Sequence, residues 1–192
     1  MNDSGPAPSA RRTELIESAY AFALEHGMGD LSLRPLARAI GSSASVLIYL
    51  FGSKDDLVRA LLTRARADEL AFIDRLTADQ GDHDLPRTVV RTWTWLTDPA
   101  HRGVLTLWAE AYSRSLLDPD GPWSDFARST VDDWLRLLAA AQPPRRRRTQ
   151  AGLAERTLAL AVLRGCLLDL LATGDVVRTG SAVRRYLDLI AR

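Results

Sequence analysis

A single cysteine in 192 residues, Cys166, excludes an internal disulfide framework and points to a reducing, cytoplasmic setting. It stands in an apolar run, where a lone thiol reads as a small buried hydrophobe. No apolar stretch reaches the roughly 20 residues that span a bilayer, so no membrane partner is expected. The opening MNDSGPAPSA has neither the basic start nor the apolar run of a secretory signal, and reads as a flexible arm. Neither charge sign is in excess: 25 basic and 24 acidic residues leave a formal net charge of +1. A polybasic coat for indiscriminate nucleic-acid binding is thereby excluded, and any DNA contact must be a local face. Even residues 1–54 are balanced, five basic against five acidic, with most of the acids on the first expected helix. Signs of catalysis are missing too. His26, His83 and His101 have no second histidine or cysteine three or four positions away. There is no GxSxG, P-loop or GxGxxG. No enzyme, metal or cofactor is expected.

What is present is helix. Hydrophobic residues make up 46% and charged residues 26%, enough apolar material for one large or two small domains with a sizeable core. The most informative stretch is Leu31 to Leu57, LSLRPLARAIGSSASVLIYLFGSKDDL. Ser32 can cap a first helix, with Pro35 in its opening turn and Leu33, Leu36, Ala37 and Ile40 on one face. Gly41 ends it. Ser42 and Ser43 offer a new cap for a second segment, whose Leu47, Leu50 and Phe51 share a face. Gly52 breaks that segment, and Ser53 with Asp56 makes an S-x-x-D start for a third. Two short helices joined by a glycine turn describe a helix-turn-helix.

The outward face of the second segment carries Ser45, Ile48, Tyr49 and Gly52, with Ser42 and Val46 at one flank. An exposed Ile beside an exposed Tyr wastes apolar surface unless something covers it. A DNA groove would do so, because thymine methyls take apolar contacts and hydroxyls reach base edges or phosphates. Lys54, in the first turn of the third helix, opposes the helix dipole unless a phosphate docks there.

At these residues the chain resembles the TetR family of transcriptional regulators. Its signature runs roughly G-[VS]-S-x-x-x-[LI]-Y-x-[YH]-F-x-[SN]-K-x-x-L, and Gly41, Ser43, Leu47, Phe51, Ser53, Lys54 and Leu57 fall on it. The chain departs at Ile48, at Leu50 and at Ala44, where a basic residue is common, and Tyr49 stands one place along from the usual tyrosine. The resemblance implies an all-α fold with a three-helix DNA-binding domain over 1–53 and a helical effector-binding and dimerisation domain over 54–192. It also implies a homodimer on a palindromic double-stranded operator, most plainly a repressor released by a small organic ligand. Ser32, Tyr49 and Lys54 are assigned to the phosphate backbone and Ser45, Val46 and Ile48 to base edges. Arg34, Ser43 and Ala44 complete the DNA-contacting set. A second reading stays open, a helical small-molecule binding protein that no longer reads DNA. The neutral N-terminal part and Ala44 keep it so.

Elsewhere the periodicity predicts nine helices and no strand. The first runs from about Arg12 to Glu25, ended by Gly27. The third, from Ser53, continues for about 25 residues to near Asp79, a strut for any coupling between the two domains. Thr88–Leu96, Ala100–Leu117 and Trp123–Ala141 follow, then Pro143-Pro144 and Arg145 to Arg148, read as a solvated connector or an anion-binding run. Ala151–Ala172 has hardly any polar stripe and is expected to be buried on nearly all sides. Small residues Ala159, Gly165 and Ala172 would let it approach a partner helix closely. Ser181–Ala191 makes the last helix. Asp169 either orients a ligand or pairs with an arginine such as Arg164 or Arg185. All five tryptophans lie beyond residue 92, and the resemblance places an effector pocket there. Trp93, Trp108, Tyr112, Trp134, Cys166 and Asp169 are the candidate lining.

Overall fold

The computed structural model of the chain describes residues 8–29, 31–78 and 84–190. His83 and most of the expected N-terminal arm lie outside them. Among the described residues there are ten α-helices, one short 3-10 turn and no strand. The helices are α1 (Pro8–His26), α2 (Leu33–Ala39), α3 (Ala44–Phe51), α4 (Lys54–Ala78) and α5 (Leu85–Leu96), followed by α6 (Arg102–Leu117), α7 (Phe126–Ala140), α8 (Pro144–Arg147), α9 (Gln150–Thr173) and α10 (Val176–Ile190). The arginine run read as a connector is thus one helical turn, α8. Two of its guanidiniums are occupied. Arg146 Nε donates to Glu155 Oε1 at 3.0 Å, and Arg147 donates to the carbonyls of Gln142 and Ala140 at 2.8 Å.

The chain packs as two units. The first comprises the residues up to Asp68 together with Thr106–Ala127, and the second comprises Glu69–Leu105 and the residues from Arg128 on. The expected boundary at 53/54 is where α4 starts, not where the packing divides. Leu57, Val58, Leu61 and Leu62 of α4 are buried in the same core as Leu15, Ala19, Leu36, Leu47 and Phe51, so the cap of the helix and the edge of the unit do not coincide. From the other part of the chain, Leu107, Ala111, Trp123 and Phe126 enter this core as well.

Polar ties in the first unit fix α1 against α4. Arg64 Nε donates to Glu17 at 2.7 Å, its Nη1 pairs with Asp68, and its guanidinium lies 4.7 Å from the centre of the Tyr20 ring. Tyr20 donates its hydroxyl to Asp68 at 3.0 Å. Burial, with the Asp68 carboxylate next, holds the Tyr20 phenol protonated well above its ordinary range. Tyr20→Phe is expected to cost about 1 kcal/mol in thermal unfolding, the typical net worth of such a hydrogen bond. A variant with unchanged stability would show that Asp68 needs no donor there.

In the second unit α9 packs on α10, α5 and α8. Gly152, Ala159, Leu160, Leu163, Leu167 and Leu170 of α9 are buried. In the single chain one face of α9 is left uncovered. Ala154, Leu158, Ala161, Gly165, Leu168 and Ala172 remain exposed, a single stripe at helical spacing. Ala159 faces inward, and a Cβ on Gly165 would meet nothing within 4 Å.

Candidate functional site

The helix-turn-helix is built from its caps. Ser43 is the N-cap of α3 and accepts the Val46 backbone N–H at 3.2 Å. Gly41 in the turn before it has φ +66°, a left-handed conformation that suits glycine. Leu47 and Phe51 then turn inward and are buried. The start of α4 is held by Ser53, whose hydroxyl accepts the Asp56 N–H at 3.1 Å and donates to Asp56 Oδ2 at 2.6 Å. That donation, ahead of the other causes, keeps the Asp56 carboxyl below its usual range. The S-x-x-D signal therefore forms a real cap, though the acid takes the hydroxyl proton rather than a backbone one.

The outward face of α3 is as the periodicity places it. Tyr49 is 81% exposed and Ile48 40%, and Ser45 and Val46 are exposed beside them. Ala44 is half-buried. Lys54, the only lysine in the chain, is the first residue of α4 and is exposed. Ser32 occupies the N-cap position of α2 with extended backbone, but its side chain makes no capping hydrogen bond. Its hydroxyl is exposed and so is the neighbouring Arg34. Ser32, Arg34, Ser45, Val46, Ile48, Tyr49 and Lys54 are thus accessible to a ligand outside the chain, while the acceptor oxygen of Ser43 is used in the cap. Behind this face Arg12 of α1 stands 4.8 Å from the centre of the Phe51 ring, a cation–π contact.

The candidate effector residues fall in both units. Trp108 and Tyr112 pack together in the first, ring centres 5.2 Å apart. Trp134, in the second, is buried and donates Nε1 to Glu69 at 2.6 Å. Around it stand rings that the sequence reading did not select. Phe72 stacks on Trp95 at 4.1 Å and lies 6.0 Å from Trp134, and His101 stacks on the other side of Trp95 at 4.2 Å. Glu69 and Phe72, one helical turn apart on α4, were the available signal. Trp93 is half-buried, its Nε1 close to Gly180 of α10. Cys166 is half-buried, and burial raises its thiol pKa, so it is a poor nucleophile. Asp169 is corrected. Its carboxylate is taken up by Arg178, neither of the arginines expected, through bonds of 2.5 and 2.8 Å, which hold it below its usual range. The pairing alternative for Asp169 is thus the one seen, with a different arginine.

Residues 15–61 match the sequence model of the bacterial regulatory proteins of the tetR family. Among curated proteins, the HTH-type transcriptional repressor AcnR of Corynebacterium efficiens is 27% identical over 174 residues, 89% of this chain and 87% of AcnR. The HTH-type transcriptional regulator BetI of Stenotrophomonas maltophilia is 29% identical over 116 residues, 57% of this chain, and the match spans only 58% of BetI. Among solved structures, a protein of Saccharomonospora viridis described as a transcriptional regulator, crystallised in complex with choline, superposes with a TM-score of 0.74 at 22% identity, over 96% of this chain and 97% of that one. Motif, helix-turn-helix geometry and fold agree: residues 15–61 carry the helix-turn-helix segment of the bacterial regulatory proteins of the tetR family, and the chain shares its fold with the solved structure.

Proposed function

We propose that the chain is a sequence-specific, DNA-binding transcriptional regulator of the cytoplasm, a homodimeric repressor that a small organic effector releases from a palindromic operator. The observation that carries this reading is the outer face of α3. Val46, Ile48 and Tyr49 are apolar side chains left in water on a helix of a helix-turn-helix, with the one lysine at the next helix start. In a major groove the isoleucine covers a thymine methyl, and the lysine with the free N–H groups of α4 shares a phosphate. DNA reading belongs to residues 1–53, and effector binding and dimerisation to 54–192, although the packing joins part of the second to the first. Two reading heads of a dimer meet successive major grooves when they stand ~34–36 Å apart or a multiple of it. The test is a gel shift with the DNA next to the protein's own gene. A retarded complex that weakens steeply between about 50 and 200 mM salt is expected. No complex at the lower salt would favour the other reading, a helical small-molecule binding protein, which the charge balance of residues 1–54 supports.

The effector is read as an organic cation taken by the second unit. Phe72 and Trp134 supply aromatic surface and Glu69 a carboxylate, the groups that hold quaternary ammonium ions. Choline, in the Saccharomonospora viridis complex, is such an ion. The continuous helix α4 runs from one unit into the other and carries the coupling, for which about 1–3 kcal/mol is typical. Glu69→Gln keeps an acceptor for Trp134 and removes the charge. It is expected to weaken choline binding about tenfold by calorimetry. Unchanged affinity would detach the effector from this cluster.

A further inference from the structure

The turn Gly27–Met28–Gly29, which leads from α1 toward α2, is closed around a carboxylate from a distant part of the sequence. Glu110, on the stretch of α6 that belongs to the first unit, accepts the Met28 backbone N–H through Oε2 at 2.8 Å. A Cβ on Gly29 would stand 2.4 Å from Glu110 Oε1 and 2.5 Å from Arg114 Nη2. On Gly27, whose φ of +77° already favours glycine, it would stand 3.1 Å from Oε2. The turn therefore has no side chain at the two places where one would push the carboxylate out. Arg114 completes the arrangement, with Nε 3.6 Å from Glu110 Oε1 and its guanidinium 5.7 Å from the centre of the Trp123 ring. Met28 and Trp123 are both buried.

We propose that Glu110 is a positioning residue for DNA reading. It holds the α1–α2 turn in one geometry, and so the seat of α2 and α3, without touching DNA. This rests on the reading of α3 as the DNA-reading helix. A hydrogen bond to a charged acceptor is stronger than a neutral one, and here its donor is the backbone of a buried residue that has little water to replace it. Four residues after Gly29 α2 begins, with Ser32 and Arg34 at its start. A turn set free there shifts the backbone-contacting end of the helix-turn-helix before anything else.

Three variants of the full chain test it. Glu110→Ala removes the acceptor. Gly29→Ala displaces the Glu110–Arg114 pair by its Cβ, at a position where glycine is not required by a left-handed φ. Glu110→Gln keeps an acceptor oxygen. The readouts are hydrogen exchange at the Met28 amide and affinity for a duplex that the wild-type protein selects from random sequence. Glu110→Ala and Gly29→Ala are expected to exchange Met28 about tenfold faster and to bind the duplex about tenfold more weakly. Glu110→Gln stays near wild type in both. Tyr20→Phe, which weakens the same unit outside the turn, controls for general destabilisation. Wild-type exchange of Met28 in Glu110→Ala, or an equal loss of affinity in Tyr20→Phe, overturns the proposal. Failure of the wild-type protein to select any duplex strikes instead at the DNA-binding reading, and the exchange result still decides whether Glu110 holds the turn.

Discussion

Leu158→Asp in α9 is expected to turn the protein into a folded monomer and to lower its affinity for a two-fold operator by at least about a hundredfold. Leu158 is 52% exposed, and on the same stripe Leu168 is exposed between the small residues Ala161, Gly165 and Ala172. On α10, which packs on α9, Val176, Val177 and Leu189 are exposed too, Val177 by 77%. So much apolar surface on adjoining helices is costly in water, and the proposed dimer would cover it. A second copy presenting the same pair of helices would cover it with itself, as two-fold interfaces do. Stable interfaces of this kind bury roughly 2,000 Å² or more. An aspartate in the stripe would place two like charges in that interface without partners. Sedimentation at micromolar concentration is the check. A variant that sediments as a dimer, or a wild-type protein that sediments as a folded monomer, would remove α9 from the account.

The second large effect belongs to Lys54. Lys54→Ala should weaken binding to every duplex about equally and lower the salt slope by roughly one unit, since one phosphate contact is lost. Because every other basic side chain in the count of 25 is an arginine, amine acetylation reports on this side chain apart from the chain terminus. A bound duplex should slow acetylation of Lys54 at low salt, and added salt should restore the rate. Equal labelling with and without bound duplex would place the lysine outside the interface.

How far the sequence foretold this arrangement depends on the range of the interactions. The helix-turn-helix was legible because its limits are local. Ser43, Ser53 and Gly41 act on backbone groups within three residues of themselves. The start of α10 was misread for an equally local reason. Val176 and Val177 look unfavourable for a helix, but Asp175 accepts the Arg178 N–H at 2.9 Å and caps the helix ahead of them. The unit boundary was not legible. Thr106–Ala127 joins the first unit through Leu107, Ala111, Trp123 and Phe126, and nothing in the spacing of those residues says which core they enter. The same holds for the candidate effector residues. Tryptophan content pointed to the region, while the grouping of Trp95 and Trp134 with Phe72 and Glu69 depends on how three separate helices pack. The outer face of α9 was legible as apolar and was assigned to a partner helix. In the single chain that face is open.

The central claim is that the exposed face of α3 reads bases, and Ile48→Ala tests it most directly. Affinity of wild type and variant is measured across a salt titration on the selected duplex and on a scrambled one. Ile48 has no polar atom, so in the groove it can gain only from an apolar partner such as a thymine methyl. The variant should lose on the order of 1 kcal/mol on the selected duplex, within the ~1–3 kcal/mol that a mismatched base pair costs. Its binding to the scrambled duplex and its salt slope should stay as in the wild type. An equal loss on both duplexes would contradict the account and take Ile48 out of the groove.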